Sequence, residues 1–174
     1  MARVHLVKKA RKAILEAGIN KGDSYYWWKF RFGLRQVSKT TPHRSQLTQS
    51  EFLQGVYGIE DRIAKITWED TENGELESIL VDIETLRDEC EDKLSNMPDA
   101  LRESSAGSGE LLQERIDTLE EWKSTLESID TELNIEGETA RLKEEGKTEE
   151  EIKEELERQK EGILEEIKDN STYQ

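Results

Sequence analysis

The chain has one cysteine, two histidines and two prolines among 174 residues. A lone Cys90 excludes an internal disulfide and fits a reducing compartment, so a cytoplasmic location is expected. His5 and His43 have no metal-ligand spacing to each other or to Cys90, so neither a metal nor a cofactor is expected. No apolar run approaches the roughly 18 residues of a membrane span. The basic cluster at Lys8–Lys12 is not followed by an apolar stretch of signal-peptide length. There is no nucleophile elbow, dinucleotide fingerprint or kinase signature. Ser104–Gly109 (SSAGSG) has no Lys-Ser/Thr after it and no strand before it, so it does not match a phosphate-binding loop. Carboxylates are abundant, but they sit on polar helix faces where nothing separates their acidities for paired acid/base work. A non-enzymatic protein is the expectation.

What the sequence does have is charge, unevenly distributed. Charged residues make up 37% and apolar ones only 33%, which favours extended helical packing over a large compact core. Residues 1–50 hold eleven of the 25 Lys and Arg against Glu16 and Asp23, a balance of +9, so the remaining 124 residues carry −24 of the net −15. Such asymmetry points to interaction with a partner of opposite charge, or to the two regions neutralising each other.

Six of the eleven aromatic residues fall between Tyr25 and Phe32, a composition that favours a β-strand. Gly33 marks a turn, Leu34–Thr40 is a second strand candidate, and Pro42 ends it, so a hairpin over Tyr25–Thr40 is predicted. Period two places Tyr26, Trp28, Phe30 and Phe32 on a covered face and Tyr25, Trp27, Lys29 and Arg31 on an open one. A two-residue turn at Gly33–Leu34 would set Arg31 opposite Gln36, Lys29 opposite Ser38 and Phe30 opposite Val37. The open face then alternates aromatic and basic groups, the set that stacks on bases and grips phosphates. Residues 3–17 fit either a helical stripe or a third short strand at Val4–Val7, and in both Lys8, Lys9, Arg11 and Lys12 form a basic patch. The nucleic-acid-binding candidates are Lys8, Lys9, Arg11, Lys12, Tyr25, Trp27, Lys29, Arg31, Arg35 and Lys39. The plainer reading is that the aromatic strand is core and the basic groups keep an edge soluble.

Beyond residue 45 the pattern is helical. Thr48 and Glu51 fit a capping box that opens a helix carrying Phe52, Val56, Ile59, Ile63 and Ile66 and ending near Trp68. A second stripe runs Leu76, Ile79, Ile83, Leu86, Cys90, with Cys90 as a packing residue, until Asn96-Met97-Pro98 breaks it. Residues 104–109 read as a flexible joint. A third stripe runs Leu112, Ile116, Leu119, Trp122, Leu126, Ile129 and Leu133. Glu138–Glu145 is a short helix, and Thr148 with Glu151 caps a last one over Glu149–Lys168, supported by Glu149–Lys153 and Glu154–Arg158 pairs. Asn170–Gln174 is expected to fray. The domains predicted are a basic aromatic head over 1–45, a helical hairpin over 46–103, the joint, and an acidic helical or coiled-coil region over 110–174. The fold class is α+β, a small N-terminal hairpin or three-stranded sheet followed by a mostly α-helical body of antiparallel hairpins.

Three segments carry a resemblance. KGDSYYWWKFRFG (Lys21–Gly33), SQLTQSEF (Ser45–Phe52) and NMPDALRESSAGSGELLQER (Asn96–Arg115) resemble small bacteriophage-encoded proteins of unknown function, and together lie within about the first two-thirds of the chain. The hairpin more loosely resembles the sheets by which phage integrase arm domains and AP2-type domains read DNA, where three strands are packed by a helix. Here an acidic body follows instead of a catalytic domain. The phage resemblance implies action in the cytoplasm of an infected bacterium, in replication, regulation or host takeover.

The resulting expectation is a nucleic-acid-binding accessory protein. Lys29, Arg31 and Arg35 would hold phosphate, Trp27 and Tyr25 would stack, and the acidic helices would dimerise or recruit a protein. The competing expectation is a protein-binding inhibitor or adaptor acting through the acidic helices, or a virion structural component. No membrane partner is expected.

Overall fold

The computed structural model describes residues 1–102 and 107–173, and divides into two compact units, Met1–Gly58 and Ile59–Gln174. The fold is α+β. Three short strands, β1 (His5–Val7), β2 (Tyr25–Lys29) and β3 (Arg35–Ser38), form one antiparallel sheet with β2 in the centre. The helices are α1 (Glu51–Ile63), α2 (Trp68–Glu72), α3 (Glu75–Ser95), α4 (Asp99–Arg102), α5 (Ser108–Glu127), α6 (Ile135–Glu144) and α7 (Glu149–Asp169). Among the described residues no helix is long and apolar enough to cross a membrane.

In the first unit the short-strand alternative holds for the segment 3–17: His5–Val7 is β1, and the only helical turn there is a 3-10 turn at Leu15–Ala17. β1 pairs with β2 through His5↔Trp27, Leu6↔Tyr26 and Val7↔Tyr25. Past β1 the chain is anchored at Ala10, whose N–H donates to the Asp23 carbonyl (2.8 Å) and whose carbonyl accepts from the Gly22 N–H (2.9 Å). These bonds satisfy backbone groups that a helix would otherwise have paired internally. Ala10, Ile19, Trp28, Phe52 and Val56 are buried and make the apolar centre of this unit.

The first turn of α1 corrects the expected capping box. Ser50, not Thr48, stands at the cap: its hydroxyl accepts from the Leu53 N–H (3.4 Å) and its carbonyl from the Gln54 N–H (2.9 Å). Thr48 is spent one step earlier, accepting from the Ser50 N–H (3.2 Å). Nor does α1 reach Trp68. Thr67 adopts an extended backbone to cap α2, exchanging bonds with Asp70, and a residue in that conformation cannot sit inside a continuous helix.

The second unit is built on α3 against α5. Leu76, Ile79, Ile83 and Cys90 are buried on α3, and Leu112, Ile116, Leu119, Trp122 and Leu126 on α5. Burial pushes the Cys90 thiol pKa up, keeping it protonated and in keeping with a packing role. Ile59, Ile63, Ile66, Leu142, Ile152 and Ile167 complete the core, so the narrow seams close largely on one another within the unit. Arg62 of α1 is held by Glu75, Ser78 and Asp82 of the α3 segment. The Thr148–Glu151 capping box is present, and the bonds from Thr148, the backbone N–H first, hold the Glu151 carboxyl pKa below the usual carboxylate range. On the exposed side Arg158 pairs with Glu155 (2.8 Å) one turn back, in place of the expected Glu154.

Two further expectations are corrected. The C-terminal tail does not fray at residues 170–173. The Trp122 indole N–H donates to the Asn170 carbonyl (2.8 Å), the Tyr173 ring meets Trp122 edge-on at 6.0 Å, and the Tyr173 N–H donates to Glu60 (3.3 Å). Of the predicted joint, residues 104–106 lie outside the described residues, and Ser108–Gly109 is already helix. Gly109 is a packing glycine: a Cβ there would stand 2.8 Å from the Arg102 carbonyl oxygen, a clash with backbone that no rotamer relieves. Gly162, inside α7, faces open space. Opposite signs are therefore expected in thermal denaturation. Gly162→Ala raises the midpoint, since alanine is about 1 kcal/mol the better helix former, while Gly109→Ala lowers it.

Candidate functional site

Register decides which side chains share a face of the small sheet. β2 pairs with β3 as Tyr26↔Ser38, Trp27↔Val37, Trp28↔Gln36 and Lys29↔Arg35. This replaces the predicted register: the connection is the five-residue loop Phe30–Leu34, closed by the Gly33 N–H donating to the Phe30 carbonyl (3.2 Å). An odd shift of register exchanges the faces of β3. Gln36 and Ser38 therefore join the Trp28 side, while Arg35 and Val37 join Trp27. Phe30 and Phe32 are not covered strand residues either. Both lie in the loop, and Phe32 is 89% exposed. Arg31 leaves the strand with them, its guanidinium 5.2 Å from the Phe32 ring centroid.

The Trp27 face is a row of flat groups. β1 and β3 flank β2 on opposite sides, and each brings a planar side chain to the indole. His5 stacks on Trp27 with centroids 4.4 Å apart and planes 14° from parallel. The Arg35 guanidinium carbon lies 4.2 Å from the Trp27 centroid, within the range of a favourable cation–π contact. The same guanidinium donates to the Tyr25 hydroxyl (3.3 Å). Lys29 stands directly across from Arg35, two like charges side by side where an opposite pair would be the stabilising choice. Trp28, on the other face, is 4% exposed and belongs to the core, with its indole nitrogen lacking a hydrogen-bond partner.

The structure thus gathers Tyr25, Trp27, Lys29 and Arg35 on one face and adds His5, which is not among the residues expected from the sequence. The signal for His5 was present only as a short apolar strand around it; its stacking depends on a pairing across some twenty residues of chain. Lys8, Lys9, Arg11 and Lys12 are all exposed and flank the anchored Ala10. Lys39 is set apart, paired with Asp23 at 3.4 Å. The Asp23 carboxyl is held below its ordinary range, first by the Asn20 backbone N–H and also by Lys39. Within the first unit the carboxylates are Glu16, Asp23 and Glu51, and none of them forms an ion pair with Lys8, Lys9, Arg11, Lys12, Lys29, Arg31 or Arg35. Arg44 lies over the Tyr57 ring at 4.1 Å.

Comparison with family models, with curated proteins and with solved structures finds no match.

The second unit offers a different surface. A cleft of about 410 Å³ on α5 is lined by Glu110, Gln113, Glu114, Asp117, Thr118 and Glu121, a one-sided acidic wall. Among the described residues no group of three His, Cys, Asp or Glu is placed to hold a metal ion.

Proposed function

We propose that this protein is a non-enzymatic nucleic-acid-binding accessory protein whose contact surface is the Trp27 face of the N-terminal sheet. The observation that carries the reading is the juxtaposition of Lys29 and Arg35. Two like charges side by side, without a carboxylate of their own unit, cost stability that an anionic ligand would recover. Phosphate satisfies such a pair, with the guanidinium offering paired N–H donors and the ammonium a point charge. Lys8, Lys9, Arg11 and Lys12 add electrostatic reach along the backbone without reading sequence. Trp27 does not act as an open stacking platform in this reading, because His5 and Arg35 already lie against it. Its part is to hold the guanidinium of Arg35 in place.

The acidic helices serve self-association or recruitment of a protein in this reading, and the setting is that of a bacteriophage protein in its host. Full-length protein purified at low salt without nuclease is expected to carry nucleic acid, seen as an absorbance ratio at 260/280 nm well above that of protein and removed by a high-salt wash. A ratio of pure protein before the wash would reject the reading.

A further inference from the structure

The loop joining β2 to β3 carries two large apolar side chains that stand largely in solvent, with only Arg31 lying near the Phe32 ring. Phe32 is 89% and Leu34 84% exposed, on a loop of five residues whose other members include Arg31, and which is bounded by Lys29 and Arg35. Single exposed apolar residues are common, but two on one short crest, ringed by three cations, call for a ligand that is apolar where the tip reaches it and anionic around it. A nucleic-acid duplex has this arrangement, with stacked bases inside and phosphates outside.

We infer that Phe32 and Leu34 form a wedge that enters between the base pairs of duplex DNA, while Lys29, Arg31 and Arg35 hold the phosphates on either side. The inference rests on the nucleic-acid reading above and narrows its ligand. Duplex is favoured over single strand by the chemistry of the tip. Binding of single strands relies on aromatic faces for successive bases, yet Leu34 has no ring and Trp27 is engaged by His5 and Arg35. Insertion between base pairs uses aliphatic and aromatic wedges alike, Phe and Leu among them, and unstacks and kinks the step they enter. Steps that unstack easily, TA above all, would be preferred without any contact to base edges.

The test uses full-length protein and a short duplex with a single TA step beside a 2-aminopurine, flanked by G·C pairs. Wild type is expected to brighten the 2-aminopurine as the step unstacks. Phe32→Ala with Leu34→Ala, which changes only exposed side chains and so keeps the fold, is expected to bind the duplex yet lose the brightening. Lys29→Glu with Arg35→Glu is expected to bind the duplex about a hundredfold or more weakly. Brightening by the Phe32/Leu34 variant equal to wild type would overturn the wedge and leave the nucleic-acid reading standing. Absence of duplex binding by wild type would overturn the wedge, and absence of binding to single-stranded DNA and RNA as well would overturn the nucleic-acid reading. Phe32-dependent binding to phosphatidylserine vesicles without 2-aminopurine brightening would overturn the wedge in favour of a lipid-anchoring tip.

Discussion

Reversing Lys29 and Arg35 to glutamate together is expected to reduce the affinity of the full-length protein for nucleic acid by about a hundredfold or more. The magnitude follows from counterion release: with a slope of about −0.9 per phosphate, each contact near 0.1 M salt is worth somewhat under tenfold, and reversal adds repulsion. The salt dependence should flatten by about two phosphate contacts, a change that loss of fold alone would not mimic if the variant keeps its thermal midpoint. Both side chains are exposed and neither is in an ion pair, so the loss within the unit is confined to the Arg35 contacts with Trp27 and the Tyr25 hydroxyl, a cost that the thermal midpoint reads. Fluorescence anisotropy over a salt series reads both quantities. Unchanged affinity would remove the Trp27 face from the account. The choice of Arg35 over Arg31 comes from register: Arg35 lies across from Lys29, while Arg31 is in the loop against Phe32.

The second large effect lies in the helical unit. Leu119 is fully buried on α5, and Leu119→Ala is expected to cost about 2–5 kcal/mol through lost burial and the cavity left behind. Against a total stability of about 5–15 kcal/mol, that lowers the thermal midpoint by about 10 °C. Leu111→Ala on the same helix is the control. Its side chain is 47% exposed, and a shift of about ±0.5 kcal/mol is expected there. Comparable losses in the two variants would mean that α5 does not pack through the face assigned to it. Urea denaturation followed by helical circular dichroism provides the comparison.

How much of this was legible in the sequence depends on how local each feature is. The helical stripes were readable because a 3.6-residue period is written in the neighbourhood of each residue, and Cys90, Leu112, Ile116, Leu119 and Trp122 are buried where that period placed them. The Thr148–Glu151 box was readable for the same reason. The first capping box failed because Thr48 and Ser50 compete two residues apart, and the turn over residues 44–47 decides between them. The sheet was legible as aromatic strands but not in register. One glycine at position 33 does not distinguish a two-residue turn from a five-residue loop, and the difference is odd, so it moves every β3 side chain to the other face. That single ambiguity hid the Lys29–Arg35 pair and put Phe32 in the core instead of at the tip. The Trp122–Asn170 and Trp122–Tyr173 contacts span some fifty residues, and no short-range pattern announces them.

The charge asymmetry that first set the two regions apart also acquires a structural form. The positive region is a set of exposed cations on an anchored segment, a strand pair and a loop, with Lys39 alone among the candidates neutralised inside its unit. The negative region carries its carboxylates on outward helix faces, many already bonded to Arg or Lys of the same unit, as with Arg62, Arg87 and Arg141.

The most direct test of the central claim is the affinity of nuclease-treated, full-length protein for a labelled DNA duplex, measured over a range of salt concentrations. If Lys8, Lys9, Arg11, Lys12, Lys29, Arg31 and Arg35 all reach phosphate, the logarithm of the association constant should fall against the logarithm of salt with a slope of about −6. Absence of binding at low salt, or a slope near zero, would contradict it.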